Sequence, residues 1–289
     1  MCKSAWANDS DDTAMTERQK AVAEERSLTL AESCRTHVGD ARPQVSVCMA
    51  AYNGAQFILI QIRSILDQLE ASDELIIVDD CSSDRTCELV ESLGESRIHL
   101  IRHSRNLGVT QTFEDALRTA SGSIIFLSDQ DDIWLPDKVT TVLQAFSLNP
   151  DITLVISDAA MIDQDGVKRS ESHYALRGRF KDGFLANVIQ CKYLGCTMAF
   201  RAALLRNALP FPRSKTIFHD LWLGVANRLA GGKTHYLTDT LVSYRRHAGT
   251  LTGISRLSLR RQATIRLHLL WAAAGFWFGR RFGAHRRSD

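Results

Sequence analysis

The 289-residue sequence has no long apolar run, no paired-cysteine motif and no large net charge. Because no stretch reaches 18 apolar residues, no segment is predicted to span a bilayer. The seven cysteines are an odd number without a CxxC pair, which predicts reduced thiols rather than a disulfide framework or a zinc site. A formal net charge of +2 argues against a nucleic-acid-binding protein. The remaining composition is that of a globular chain long enough for one large domain or two small ones.

The first 42 residues also lack an apolar run, and they are rich in Asp, Glu, Ser, Thr and Ala. We predict that residues 1–42 form a poorly ordered extension. No signal peptide is visible. The reduced thiols predicted for the seven cysteines lead us to expect a cytoplasmic protein.

Apolar runs of β type alternate with segments of helical periodicity in the next part of the chain. The predicted strands are Val45–Tyr52, Leu75–Val78, Ile98–Ile101, Ile124–Leu127 and Ile152–Ile156. This alternation predicts an α/β fold with a mostly parallel sheet and helices on both faces.

Polar residues follow three of these strands, as Tyr52-Asn53-Gly54, Asp79-Asp80 and Asp129–Asp132. In parallel sheets, ligands bind at the carboxyl ends of the strands. The three strand ends are therefore expected to form one site.

Asp129, Asp131 and Asp132 crowd negative charge directly after a buried strand. Such carboxylates repel one another and resist desolvation, so folding alone gives no reason for them. Mg²⁺ or Mn²⁺, held by carboxylates and substrate phosphates, would relieve that cost. The alternative is a solvated acidic loop that caps the helix opened by Pro136.

Beyond Gly166 the pattern predicts helices at Phe184–Gln190 and Leu221–Leu229 and strands at Cys196–Phe200 and Tyr236–Tyr244. Asp239-Thr240 is expected to bend or interrupt the last strand. Residues 163–166 (Asp-Gln-Asp-Gly) read as a hairpin turn.

Four motifs of the first half resemble family 2 glycosyltransferases of the GT-A fold, in that family's order and spacing. They are Val45–Gly54 (VSVCMAAYNG), Ile76–Thr86 (IIVDDCSSDRT), Arg105–Val109 (RNLGV) and Leu127–Lys138 (LSDQDDIWLPDK). The second half resembles the bacterial rhamnosyltransferase-like branch through Gly195–Phe200 (GCTMAF), His219–Trp222 (HDLW) and Tyr244–His247 (YRRH), followed by Gly253.

The resemblance implies a GT-A, Rossmann-like domain over residues 43–255. Residues 43–158 would form the nucleotide-sugar-binding half and residues 159–255 a smaller acceptor-side half, followed by a C-terminal helix over residues 256–289.

The resemblance also implies site residues on the donor side. Donor contacts are expected from Ala50, Tyr52, Asn53, Asp79, Asp80, Asn106, Asp129 and Asp132. Tyr52 would stack on the nucleotide base or pack beside the sheet, and Asp80 would accept from a pyrimidine N–H or cap the next helix. Asp131 and Asp129 match the metal-binding acids of the family, with Mg²⁺ or Mn²⁺ as the cofactor.

Asp220 matches the family's general base, and the alternative is a helix N-cap. The diphosphate or acceptor contacts would come from His219, Trp222, Arg246 and His247. For Arg245, Arg246 and His247, a solvated basic loop is an equal alternative.

The tail from Arg256 to Arg287 combines aromatic residues with arginines. Such a helix suits a membrane interface with anionic lipids, and packing on the protein core is the alternative. A membrane contact would place the protein on the inner face of the cytoplasmic membrane.

The function implied by the resemblance is metal-dependent, inverting transfer of one sugar from a nucleotide diphosphate-sugar, with dTDP-rhamnose as a candidate donor. The acceptor would be a glycan or lipid-linked sugar in surface polysaccharide assembly. One alternative is a catalytically inactive nucleotide-sugar-binding module. Another is a sugar nucleotidylyltransferase, which would need a glycine-rich phosphate loop with a basic residue that residues 50–54 lack.

Overall fold

The computed structural model describes residues 42–178, 193–214, 216–247 and 259–283. Residues 1–41 and the predicted helix Phe184–Gln190 lie outside the described residues. Of the seven cysteines, Cys48, Cys81, Cys87 and Cys196 are described, and these four are free thiols. Among the described residues, no helix combines the length and the apolar composition needed to cross a membrane.

Nine strands of the described chain join in one sheet. They are β1 (Val45–Ala51), β2 (Glu74–Asp79), β3 (Ile98–Arg102), β4 (Ile124–Asp129), β5 (Ile133–Trp134), β6 (Ile152–Ile162), β7 (Lys168–Ser170), β8 (Met198–Arg201) and β9 (Lys233–Arg245). The five strands predicted in the first half are confirmed, and β6 extends six residues beyond its predicted end at Ile156.

The helices cover the sheet between these strands. They are α1 (Ile58–Leu66), α2 (Thr86–Glu91), α3 (Val109–Thr119), α4 (Lys138–Leu148), α5 (His173–Arg177), α6 (Leu205–Ala208), α7 (His219–Leu229) and α8 (Leu259–Gly283). Two 3₁₀ turns, Gly195–Thr197 and Ala202–Leu204, flank β8.

The strand order is β3-β2-β1-β4-β8-β6-β9-β5, with β7 beside β6. The first four strands are parallel, as predicted. Strand β8 then runs antiparallel to both neighbours, and β5 runs antiparallel to β9. The fold is therefore α/β with a mixed sheet. The parallel half of the sheet carries the three strand ends that were predicted to form one site.

Each strand of the parallel half contributes to two cores, because alternate side chains point to opposite faces. Val47 and Met49 of β1 pack in one core with α1 and α4, while Cys48 packs in the other with α3 and α7. Helices on both faces, as predicted, bury β1, β2 and β4 almost completely, whereas the edge strand β3 remains partly exposed.

Two details of the second half depend on local contacts. The predicted strand Cys196–Phe200 begins instead as a 3₁₀ turn, in which Thr197 donates from its backbone N–H and its hydroxyl to the Leu194 carbonyl. The irregularity predicted at Asp239-Thr240 is confirmed, since the register between β6 and β9 shifts between Ile156 and Asp158, which pairs with Thr240.

We expect Gly122→Ala to lower the free energy of unfolding by about 2–3 kcal/mol, since overpacking against immobile atoms carries such costs. A Cβ at Gly122 would lie 2.6 Å from the backbone nitrogen of Ser46, which cannot move without shifting β1. Urea unfolding would measure the loss.

Gly275→Ala is the matched control, because nothing lies within 4 Å of the added methyl group and Gly275 is inside α8. It should raise stability by about 0.5–1 kcal/mol. Equal changes in the free energy of unfolding for Gly122→Ala and Gly275→Ala would contradict the tight packing at Gly122.

Candidate active site

The register of the parallel strands brings the predicted strand ends together. Ala51 pairs with Asp79 on one side of β1, and Ala50 pairs with Asp129 on the other. The carboxyl ends of β2, β1 and β4 thus form one edge, as the sequence predicted.

The loop after β1 is fastened to the loop after β2. The Asn53 backbone N–H donates to the Ser82 hydroxyl at 2.8 Å, and the Asn53 side-chain oxygen accepts from the Ser83 backbone N–H at 2.9 Å. Asp79 accepts from the Ser82 backbone N–H at 2.9 Å. Asn53 and Asp79 therefore hold the two loops together.

Gln130 is a site residue that sequence reasoning missed. Its amide oxygen accepts from the Tyr52 backbone N–H and its amide nitrogen donates to the Tyr52 carbonyl, each at 2.9 Å. A Cβ at Gly54 would meet the Gln130 amide oxygen at 2.1 Å, so only glycine leaves room for this clamp. The Tyr52 side chain remains 49% exposed above the clamped backbone.

Asp80 is buried and organises the turn that leads into α3. Its carboxylate accepts from the backbone N–H groups of Leu107 at 2.7 Å and Gly108 at 2.8 Å. The Asn106 amide donates to the Asp80 carbonyl, and His103 Nδ1 lies 2.9 Å from the carboxylate. Asp80 thus holds the turn that precedes α3, and none of its hydrogen bonds within the described part of the chain goes to α2, the next helix along the chain.

The acidic loop after β4 brings two carboxylates close to a thiol. Asp129, Asp132 and Cys196 each have one side-chain atom that could bind a metal ion. These three atoms all lie within 4.8 Å of one another. Asp132 Oδ1 accepts from the Arg245 backbone N–H at 2.9 Å, whereas the buried Oδ2 has no hydrogen-bond partner among the described residues.

The pKa values in this loop reflect the crowded charge. Burial and the negative charges of Asp131 and Asp220 raise the pKa of Asp129 to about 7. Burial, Asp131 and Asp129 raise the pKa of Asp132 well above its ordinary value. Burial also raises the pKa of Cys196, so its thiol stays protonated. The loop therefore favours a positive charge, which agrees with the predicted cation site.

Asp131 lies outside that group of three and is held by the end of β9. Its Oδ2 lies 2.7 Å from His247 Nε2, and its carbonyl accepts from Arg245 Nε at 2.7 Å. Arg245 is only 4% exposed, and the His247 ring packs 5.1 Å from the Phe57 ring. Arg245 and His247 are therefore not part of a solvated basic loop. Arg246 places its guanidinium 5.8 Å from the Tyr244 ring.

Lys138, at the start of α4, is a second residue that sequence reasoning missed. It is completely buried, and its Nζ donates to the Cys196 carbonyl at 2.7 Å and lies 4.1 Å from the centroid of the Trp134 ring. Burial lowers its pKa to about 8, against the opposing effect of Asp132 and Asp129. Lys138 thus places a cation beside the buried carboxylates.

Asp220 lies in the first turn of α7, one residue after His219, with Phe218 at the N-cap position. Its Oδ1 accepts from the Leu221 backbone N–H at 2.7 Å. Burial raises its pKa to about 6, although hydrogen bonds from backbone N–H groups, including that of Gly195, oppose the rise. A carboxyl with that pKa is ionised at neutral pH and basic enough to accept a proton.

The remaining candidates of α7 are buried. His219 stacks on Phe113 at 3.8 Å between ring centroids, and neither ring nitrogen has a partner among the described residues. Burial lowers its pKa to about 3, so the imidazole is neutral. Trp222 packs in the core and donates its indole N–H to the Ala208 carbonyl at 2.8 Å, which accounts for this residue without a ligand.

An open α/β sheet with an acidic loop after β4 and a separate carboxylate on α7 defines a GT-A-type fold. Among solved structures, TarS residues 1–349 of S. aureus, crystallised with UDP-GlcNAc, is similar with a TM-score of 0.60 and 18% identity. The match covers 77% of this chain and 64% of the TarS chain, so just under two thirds of that chain is spanned. At this identity the likeness shows the fold alone.

Residues 46–207 match the family described as glycosyl transferase family 2. The chain belongs to this family and is a glycosyltransferase.

Two curated relatives are similar over most of their length. A putative teichuronic acid biosynthesis glycosyltransferase of Bacillus subtilis, TuaG, is 28% identical over 71% of this chain and 79% of its own. WfaP of Escherichia coli, a UDP-Glc:alpha-D-GlcNAc-diphosphoundecaprenol beta-1,3-glucosyltransferase, is 26% identical over 76% of this chain and 84% of its own.

We predict that Asp129→Asn raises the midpoint of thermal unfolding at pH 8 in EDTA. The pKa of Asp129 is raised in the folded state, so stability is lost as pH rises from about 4 through about 7. Removing the charge restores that stability, and the midpoint of thermal unfolding rises by about 2–4 °C for each kcal/mol regained. Below pH 4 the variant and the wild type should agree.

Asp151→Asn is the control, because Lys233 lowers the pKa of Asp151 and the control substitution should not stabilise. A lower midpoint of thermal unfolding for Asp129→Asn than for the wild type at pH 8 would contradict the idea that the buried charge of Asp129 destabilises the fold.

Proposed function

We propose that this glycosyltransferase transfers one sugar, with inversion, from a nucleotide diphosphate-sugar to a glycan or lipid-linked acceptor in surface polysaccharide assembly. In this reaction the acceptor oxygen forms a bond to the anomeric carbon as the bond to the diphosphate oxygen breaks. The acceptor proton passes to a carboxylate, and the nucleoside diphosphate leaves with the bonding electron pair.

The observation that carries the proposal is the half-buried Asp220 carboxylate, whose pKa is about 6. Its negative charge also raises the pKa of Asp129, which places the candidate base electrostatically close to the acidic loop. A base near the acidic loop can reach an acceptor bound against a donor at the edge of the sheet. Backbone N–H groups of Leu221 and Gly195 hold the carboxylate in place. His219, neutral and buried beside Asp220, keeps two ring nitrogens without a partner among the described residues, and a contact with the acceptor or the diphosphate would require one of them to become accessible.

A divalent cation, Mg²⁺ or Mn²⁺, is part of the proposal. The described residues fit such an ion, since Asp129 and Asp132 each bring a carboxylate oxygen into one group and the buried Asp132 Oδ2 has no hydrogen-bond partner among the described residues. Asp131, whose Oδ2 lies 2.7 Å from His247 Nε2, stands outside that group and is proposed as a ligand from the family motif. The protonated thiol of Cys196 is a poor ligand for a hard cation. When bound, the ion would neutralise charge on the departing diphosphate.

The donor would lie on the edge formed by β2, β1 and β4. Tyr52, exposed beside the clamped loop, is proposed to stack on the base, with Ala50 and Asn53 lining the same edge. Asp79 and Asp80 are buried and hold their loops, so either would have to reach a base N–H with an oxygen that already accepts other hydrogen bonds. The Asn106 amide is likewise committed to the Asp80 carbonyl.

The donor sugar is a separate question. The rhamnosyltransferase-like motifs favour dTDP-rhamnose, whereas WfaP is named for UDP-Glc. Its diphosphoundecaprenol-linked acceptor supports a lipid-linked acceptor for this chain. TuaG supports a role in a surface polysaccharide. Family membership favours transfer over nucleotidylyl transfer.

We predict that Asp220→Asn lowers kcat by about 10²–10⁴-fold, as loss of a general base does, while donor affinity stays within about threefold. The wild-type kcat, measured with saturating Mn²⁺, should rise as pH passes through about 6, because only the ionised Asp220 accepts a proton. Release of nucleoside diphosphate from UDP- and dTDP-sugars with acceptor present would measure both.

Addition of EDTA should abolish turnover, and Asp131→Ala should lose it as well. Asp165→Asn, in the exposed hairpin turn after β6, is the control and should retain wild-type kcat. Donor binding without turnover for any acceptor tested would favour the inactive binding module.

A peripheral membrane location is also proposed, from the two faces of α8. Ile265, Leu269, Ala272 and Phe276 pack against the core, and His268 Nδ1 lies 2.8 Å from the Thr216 hydroxyl. On the rest of the helix Leu267, Leu270 and Trp271 are exposed, Trp271 by 80%. The sequence from Arg256 to Arg287 contains eight arginines and no acidic residue. Exposed apolar side chains in a basic helix suit the inner, anionic face of the cytoplasmic membrane.

We predict that the protein sediments with vesicles containing phosphatidylglycerol but not with pure phosphatidylcholine, and that 0.5 M salt weakens the binding. Trp271→Glu should reduce the bound fraction at least fivefold, because it removes the most exposed apolar side chain of α8. Leu148→Glu, at an exposed leucine of α4, is the control and should bind as wild type. Equal binding to both kinds of vesicle would contradict the proposal.

A further inference from the structure

The 3₁₀ turn Gly195–Thr197 contacts both halves of the proposed active site. Its first residue, Gly195, packs against the start of α7, where a Cβ would lie 3.6 Å from Asp220 Cβ, and its backbone N–H lowers the pKa of the Asp220 carboxyl. Its second residue, Cys196, places its thiol in the group with Asp129 and Asp132. The position of this turn therefore affects the base and the acidic loop together.

The contact that fastens the turn comes from Lys138. Its ammonium donates to the Cys196 carbonyl at 2.7 Å. The side chain is completely buried, in contact with the Trp134 ring, so it cannot exchange this partner for water. Burying an ammonium group is costly, and neither the helix nor the core requires a lysine there.

Steric contacts make the turn sensitive to small shifts. A Cβ at Gly195 would lie 2.9 Å from His219 Nε2 and 3.6 Å from Asp220 Cβ, so the backbone of the turn packs directly on the start of α7. A movement of the Cys196 carbonyl is therefore transmitted to Asp220 through the adjoining residue.

We infer that Lys138 is a positioning residue, which holds the Gly195–Thr197 turn so that Asp220 keeps a fixed place relative to the acidic loop. The inference rests on the proposed role of Asp220. It assigns to Lys138 no contact with the substrate. Misplacement of a reacting group by about 1 Å costs on the order of 10²-fold in rate, which sets the expected effect.

The test compares Lys138→Met, which removes the donor, with Lys138→Gln, which restores an N–H donor without the charge. Lys138→Met should lower kcat about 10–100-fold, while Mn²⁺ affinity, measured by electron paramagnetic resonance, is unchanged or higher because a nearby cation is lost. Lys138→Gln should recover at least half of the lost activation free energy. Lys233→Met, at an exposed lysine paired with Asp151, is the control and should match wild type.

Hydrogen exchange gives a readout that does not depend on activity. In Lys138→Met, amides of residues 194–198 should exchange at least tenfold faster, while those of β1 stay protected. A kcat within twofold of wild type for Lys138→Met would overturn the inference, as would Lys138→Gln as slow as Lys138→Met. Joint loss of Mn²⁺ binding and of β1 protection would show a general structural role instead. If the wild type turns over no donor, the proposed function fails, and the exchange data still decide whether Lys138 holds the turn.

Discussion

The burial of negative charge at the carboxyl edge of the sheet is the constraint on which the site depends. Burial raises the pKa values of Asp129, Asp132 and Asp220, and the negative charges of neighbouring aspartates raise those of Asp129 and Asp132 further. Folding offsets part of this cost with the positive charge of Lys138, which acts on Asp129 and Asp132, and with a hydrogen bond from the Arg245 backbone N–H to Asp132. Asp132 Oδ2 is still left without a partner among the described residues. A site built in this way is prepared for an additional positive charge.

The mixed sheet explains how distant parts of the chain reach that edge. Strand β8 lies antiparallel between β4 and β6, so the turn that precedes it arrives beside the acidic loop at the carboxyl end of β4. Strand β9 runs parallel to β6 and ends at Arg245, which donates to Asp131 and Asp132. An all-parallel sheet would have brought the start of β8 to the opposite edge. The antiparallel strand β8 and the parallel strand β9 therefore both belong to the construction of the site.

Several site residues could be predicted and others could not, for reasons visible in their contacts. Asp129, Asp131 and Asp220 stand out in the sequence because carboxylates at strand or helix ends need an explanation. Gln130 and Lys138 did not, since a glutamine in a polar loop and a lysine at a helix start are ordinary on a surface. Only their partners, Tyr52 and Cys196, distant along the chain, show what they do. Trp222 was expected near a ligand because of its motif, yet its side chain packs in the core.

By itself the sequence determined the α/β class, the parallel half of the sheet, and the convergence of three strand ends, because apolar periodicity and turn residues are local properties. The family motifs likewise lie within short segments. Tertiary structure alone decided which charges are buried together, which loop Asp80 holds by hydrogen bonds, and which face of α8 stays exposed. These depend on contacts between residues far apart in the chain, and their energies come from the loss of water around groups that the sequence does not place side by side.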